Sequence, residues 1–223
     1  MSATAIARSL TLSTYETVRK LVLTCELRPG ARINVKELAE SLDTNVGALR
    51  EALSRLTAEE LIVAEPQKGF RVAAISVQDL QDLTAARIEI EGTCLRRSIA
   101  NGDVAWEVAV VAAFHRLSKT ESPLRGGHVP VDWSYAHTAF HEALVSACEN
   151  TWLRRFRIML FEQNARYRAL SVSITGDKRD LESEHRALMD AALKRDADAA
   201  VASMEAHIMS TTNALLIRMS TAE

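Results

Sequence analysis

The sequence predicts a mainly α-helical protein in two parts: a small N-terminal helical domain closed by a β-hairpin, and a C-terminal bundle of six antiparallel helices. Three observations carry this. The 223 residues contain only 8 Gly and 4 Pro, and long Ala/Leu/Glu/Arg stretches run between these breakers, as helices require. Strand-like runs occur only at residues 61–65 and 70–73. The halves also differ in chemistry, because all six histidines and all three tryptophans lie beyond residue 73.

Composition excludes several classes. Hydrophobic residues are 48% and charged residues 25%, which suits a globular chain rather than a disordered one or a coiled-coil rod. The formal charge is −2. Residues 1–73 carry 10 Lys/Arg against 9 Asp/Glu, and the remainder 17 against 20, so no global basic excess advertises nucleic acid, although a local basic face can still do so. Cys25, Cys94 and Cys148 are widely spaced in apolar helical patterns, as reduced core thiols are. No apolar run approaches the roughly 18 residues that span a bilayer, and the first ten lack a signal-peptide core. A cytoplasmic protein without a membrane partner is expected.

Tyr15, Val18, Leu21 and Val22 recur at helical spacing and predict a helix over 14–25, stopped by the Pro29-Gly30 turn. Residues 31–33 form a short extended piece. Asn34 then caps a two-turn helix over 35–42 that faces Leu38, Ala39 and Leu42 inward. Residues 43–45 turn the chain, Asn45 caps again, and the helix over 46–59 buries Leu49, Ala52, Leu53 and Leu56. Two helices joined so tightly make a helix-turn-helix. The hairpin that follows, with the basic tip Pro66-Gln67-Lys68-Gly69, makes it a winged one, whose third helix enters the DNA major groove. Asn45 and Gly47 are then expected at the groove, Arg50 on a base or phosphate, and Lys36, Lys68 and Gly69 on the backbone or minor groove. The plainer alternative is a helical subdomain without a ligand.

Residues 27–30 (Leu-Arg-Pro-Gly), 37–39 (Glu-Leu-Ala), 49–56 (Leu-Arg-Glu-Ala-Leu-Ser-Arg-Leu) and 68–72 (Lys-Gly-Phe-Arg-Val) resemble the N-terminal domain of GntR-family bacterial transcription regulators. Their order and spacing match over about 60 residues. One departure bears on specificity: the family usually shows Ser/Thr-Arg-Thr-Pro-Val before the Arg-Glu-Ala-Leu stretch, where this chain has Asn45-Val46-Gly47-Ala48-Leu49. Val46 cannot replace an arginine that reads guanine, so a different base is expected there.

In the second part, a capping box at residues 76–79 starts a helix that carries Leu80, Leu83, Ile90 and Cys94 and ends near Asn101-Gly102. Further helices fit 103–119, 132–148, 151–171, 178–194 and 197–219, with a loop holding Pro123, Gly126, Gly127 and Pro130. The domains expected are 1–73, a linker over 74–79, and 80–223. His137 and His141 are one turn apart, in line with Leu144 and Cys148. His185 shares a stripe with Leu188 and Ala192, and His207 with Met204 and Thr211. Three helices thus aim four imidazoles at the core. Each buried polar group left unsatisfied costs about 1–3 kcal/mol, and one shared divalent ion, Zn²⁺ first and Ni²⁺ second, relieves all four. The competing reading keeps each histidine as a core residue bonded to a backbone carbonyl. His115 and His128 fit no pattern and read as surface or loop residues.

From Leu80 onward the chain is similar to the FCD effector domain of the FadR-type branch of that family, in its six-helix VanR-like form. The family motif is Asp or Asn, three residues, then His after Phe, and two later histidines. Here His137 takes the Asp position, Phe140-His141 match the Phe-His pair, and His185 and His207 match the later two. The resemblance implies a metal site, one charge less anionic with His137 as ligand, unless His137 only borders the cavity. Arg87 and Glu91 match the family's Arg-x-x-x-Glu, whose arginine faces the ligand; the alternative is an intrahelical ion pair of about 0.2–0.5 kcal/mol. Asn164 and Tyr167, on a stripe with Leu160, are further effector-binding candidates.

The reading is a ligand-responsive regulator, a repressor, that binds a pseudo-palindromic double-stranded operator as a homodimer and is released by a small organic acid. A metal-dependent hydrolase is the alternative. Against it stand the four protein ligands, which tend to close the coordination sphere, and the lack of a His-Glu-x-x-His or Gly-x-Ser-x-Gly motif.

Overall fold

The computed structural model describes residues 3–123, 129–175 and 179–220. His128, Gly126 and Gly127 lie outside the described residues. The chain divides into two compact units, Met1–Ser76 and Val77–Glu223.

In the first unit α1 (Ala3–Leu23) is followed by β1 (Arg32–Ile33), α2 (Val35–Ser41), α3 (Val46–Ala58), β2 (Ile62–Glu65) and β3 (Gly69–Val72). The helix starts are set by side chains: Asn34 Oδ1 accepts from Lys36 N, and Asn45 Oδ1 accepts from Ala48 N at 2.8 Å. Such caps satisfy amides that have no intrahelical partner. Helix α1 packs on α3, and Val18, Val22, Leu49, Leu53, Leu56, Leu61 and Val72 form the shared core. The residues expected to face inward from α3 do so. The helix expected over 14–25 begins at Ala3 instead. Its first turns are rich in Ser and Thr, which weaken the apolar period without breaking a helix. The extended piece before α2 is a third strand, giving the antiparallel order β1-β3-β2 with Glu65 opposite Gly69 at the wing tip. Gln67 (φ 61°) and Gly69 (φ 94°) take the left-handed conformation that closes this tight turn.

The second unit comprises α4 (Val77–Asn101), α5 (Val104–Ser118), α6 (Val131–Val145), α7 (Thr151–Thr175), α8 (Leu181–Leu193) and α9 (Ala197–Ser220). Residues 77–79, expected in the linker, are already the first turn of α4. Helix α4 packs on α9, α7 and α6, while α5 packs on α6 and α8. The core runs from Cys94 and Leu95 through Trp106, Phe114 and Phe140 to Leu188 and Met204. Burying each large apolar side chain contributes about 1.5–3 kcal/mol, so this packing sets the helix rotations that aim the histidines. Among the described residues no helix is long and apolar enough to cross a membrane.

Candidate metal centre and its cationic wall

The apolar stripe of α6 places Trp133, His137, Phe140, His141 and Leu144 on its buried side, α8 contributes His185 and α9 His207. The four imidazoles are 2%, 0%, 2% and 8% exposed in chain order. One ligand atom from each can be chosen so that all four lie within 4.8 Å of one another. Ring centroids are 4.4 Å apart for His137 and His141 and 4.7 Å for His185 and His207.

Burial comes first among the causes that lower the pKa of every one of these imidazoles below the usual histidine value, followed by neighbouring charges for His137 and His141. Neutral imidazole is the form that binds a metal. Several ring nitrogens have no hydrogen-bond partner although sealed from solvent: Nδ1 of His137, both nitrogens of His141, and Nε2 of His185. Core histidines satisfied by backbone carbonyls would not leave these orphans.

Outer partners orient the rings. His207 Nδ1 lies 2.7 Å from Glu184 Oε2, and Arg179 grips the same carboxylate at 2.6 and 2.7 Å. Burial pulls the Glu184 pKa upward, but the hydrogen bonds from Arg179 and His207 prevail and hold it at about 2. Arg179 also donates to Thr211 Oγ1 and to the carbonyl of His207. This carboxylate-histidine pairing favours the proton on Nδ1 and so makes Nε2 the nitrogen of His207 that could take a metal. Trp133 stacks on His137 with centroids 4.4 Å apart, and a cavity lined by Trp133, His137, Arg168, Arg179, His207 and Thr211 adjoins the cluster. Four neutral nitrogens from three helices could hold one borderline divalent ion; no carboxylate belongs to the set, which disfavours Mg²⁺ or Ca²⁺.

Beside the histidines stands a cationic wall. Arg87 is 4% exposed, donates to Asn164 Oδ1 at 2.8 Å, and lies 3.5 Å from Glu91. Arg87 is thus ion-paired along its own helix and buried in the bundle interior. Glu91 is shared with Arg157 at 2.8 Å, and Arg157 also binds Glu142 at 2.6 Å. Phe161 lies among three guanidiniums, whose central carbons are 5.4 Å (Arg87), 5.3 Å (Arg157) and 4.4 Å (Arg168) from its centroid. Burial lowers the Arg168 pKa to about 9. Glu142, which follows His141, is held by Arg154 and Arg157, so it is not poised as a base for hydrolysis.

Sequence reasoning found Asn164 but missed Arg157, Phe161 and Arg168, which share its stripe at helical spacing. Arginines in a soluble helix ordinarily signal a solvated face, and nothing local marks these two as facing the wall. Tyr167 is buried, with its hydroxyl donating to Asp79 at the start of α4, while Leu160 is only partly covered. His115 is exposed, as expected.

In the first unit Lys36, Asn45, Val46, Gly47, Arg50, Lys68 and Gly69 are all exposed, along the starts of α2 and α3 and the wing tip. Asn45 spends its oxygen on the cap. Arg55 is paired with Glu51 at 2.7 Å. The exposed start of α3 thus offers Val46, Gly47 and Arg50.

A winged helix-turn-helix linked to a helical domain with a histidine cluster and a cationic wall defines a DNA-binding regulator with a ligand-sensing domain. Comparison with known proteins gives the family. Residues 10–72 match bacterial regulatory proteins of the gntR family, and residues 82–210 match the FCD domain. The chain is 39% identical over 209 residues, 93% of its length and 85% of the relative's, to the uncharacterized HTH-type transcriptional regulator BphR of Paraburkholderia xenovorans (strain LB400). It is 35% identical over 205 residues, 89% of the chain and 92% of the relative, to the HTH-type transcriptional repressor GlaR of Escherichia coli (strain K12). Among solved structures, E. coli McbR/YncC shares the fold with a TM-score of 0.75 at 19% identity, over 95% of this chain and 98% of that one. The chain belongs to the GntR family of bacterial regulatory proteins and carries an FCD domain. It is a transcription regulator that binds operator DNA and responds to a small-molecule effector, not an enzyme.

Proposed function

We propose that the protein is a repressor whose FCD domain holds one divalent transition ion, Zn²⁺ before Ni²⁺, on His137, His141, His185 and His207, and that a small organic acid bound beside this ion releases it from DNA. The observation that carries the reading is the set of buried, neutral imidazoles whose orphaned nitrogens gather in one cluster. The ion would take one nitrogen from each ring and accept a carboxylate oxygen as a further ligand. Arg87, fixed by Asn164 and Glu91, would take the same carboxylate through its guanidinium. That GlaR is named a repressor supports the sign of regulation.

The protein acts as a homodimer on a pseudo-palindromic operator, because one helix-turn-helix reads a half-site only. On α7, Trp152, Phe156 and Met159 recur at helical spacing while 63%, 48% and 49% exposed, an apolar stripe that supports pairing through the FCD domain. Helix α4 carries Arg87 and directly follows the linker, so it is the element through which effector binding would reach the DNA-reading unit. The effector shifts DNA affinity only by its differential affinity for the two states.

Fluorescence anisotropy with the chain's own upstream DNA tests this. Metal-loaded protein is expected to bind with two-half-site stoichiometry and to dissociate on addition of a bound carboxylate found by thermal-shift screening. Carboxylates that stabilise the protein equally in wild type, Arg87→Ala and His185→Ala would place the ligand elsewhere.

A further inference from the structure

The first turn of α3 carries an apolar side chain for which the fold has no use. Val46, the first residue of α3, is 40% exposed. It belongs neither to the core of the first unit nor to the residues packed against that core. Among the described residues of that unit the other large apolar side chains so exposed are Leu12 and Val63, which lie on α1 and β2. As a β-branched residue Val46 adds little to helix propensity. Its position sets it apart, because in a helix-turn-helix the N-terminal residues of the second helix meet the base edges of the major groove.

The residues around Val46 bring little polar chemistry to those edges. Thr44 Oγ1 lies 2.8 Å from Thr14 Oγ1 of α1, and Asn45 Oδ1 accepts from Ala48 N at 2.8 Å, so both side-chain oxygens are engaged within the unit. Gly47 has no side chain, and a Cβ there would stand 3.2 Å from the capping Asn45 Oδ1. The cap and the open place beside Val46 therefore go together. Ala48 and Leu49 are buried, and the next exposed residue is Arg50, one turn on.

The groove decides what an isopropyl group can read. Guanine shows two acceptors there, adenine an acceptor and a donor, and cytosine a donor, whereas thymine alone adds a methyl group. Against the other three bases Val46 would cover polar atoms without pairing them, which costs free energy; against thymine it buries apolar surface on both partners. We propose that Val46 reads a thymine C5-methyl group in each half-site. The thymine lies within two base pairs of the nucleotide that Arg50 meets, since the rise of about 6 Å from residue 46 to residue 50 spans less than two base steps of about 3.4 Å. The assignment rests on α3 entering the major groove of the operator.

Duplexes selected from a random pool by the full-length protein supply the operator. Fluorescence anisotropy then compares thymine with uracil at each thymine of one half-site, a change that removes the methyl group and keeps every hydrogen-bonding atom. At one position uracil should weaken wild-type binding about three- to five-fold, the worth of one buried methyl group, and 5-methylcytosine should bind more tightly than cytosine at that place. In Val46→Ala, with circular dichroism unchanged, both ratios should fall to near one. Uracil tolerated at every position, or equal uracil losses in wild type and Val46→Ala, would overturn the Val46 assignment, and weaker binding by Arg50→Ala in the same titration would show α3 still in the groove. Binding indifferent to Arg50→Ala as well would overturn the groove placement too.

Discussion

His137 stands where the family resemblance expects a carboxylate, yet its ring lies 4.4 Å from His141 and 5.1 Å from His185, so the replacement keeps a donor in place and removes a charge. The missing charge is a physical reason for the positive excess of the site. It also makes the metal-free protein sensitive to acid. All four imidazoles have native pKa values below the unfolded value of about 6.5, so the unfolded chain binds more protons as pH falls below that point. Stability is full above pH 6.5 and is lost on acidification. Chelator-treated protein should lose about 1.4 kcal/mol per pH unit for each imidazole that stays neutral, read by urea melts between pH 7 and 5, and metal-loaded protein should resist over the upper part of that range. At the DNA face, Arg50 is exposed near the start of α3. Arg50→Ala should cost about 1–3 kcal/mol of operator binding if it reads a guanine, measured by gel-shift titration with circular dichroism unchanged.

Individual elements show what periodicity reveals and what it hides. The α3 stripe and both asparagine caps were legible because a 3.6-residue apolar repeat and a preceding Asn are local signals. Asn45→Ala should lower the stability of the N-terminal unit by about 1 kcal/mol, seen as a shift of its thermal transition. The histidine cluster was legible as well, since each imidazole shares a stripe with core aliphatics. Helix α1 begins earlier than its apolar period suggests because Ser and Thr dilute its early turns, and on α7 the period finds Asn164 and Tyr167, both buried, but not the arginines beside them. Arg157, Phe161, Asn164 and Tyr167 are buried on α7, with partly covered Arg168 one turn beyond Asn164, and Arg157 and Asn164 are paired with Glu91 and Arg87 of α4. The outer face of α7 carries Phe156, and Phe156→Asp should turn dimer into monomer in sedimentation without loss of helicity.

The whole molecule joins a DNA-reading head to a helical sensor, and nearly all of its chemistry lies in the second unit. Three helices, α6 and the consecutive pair α8 and α9, meet at the histidines, while α4 and α7 supply the cationic wall. A ligand seated between these histidines and arginines, as proposed, would touch helices from both groups, including the helix nearest the linker. The central claim is that the four histidines form a metal centre, and elemental analysis of protein purified without chelator tests it most directly. About one divalent transition ion per chain is predicted for wild type, with the ion absent from His141→Ala and His185→Ala variants that keep their helicity. Wild-type protein that stays metal-free even after supplementation with zinc and nickel would contradict the claim and leave the imidazoles as neutral packing residues.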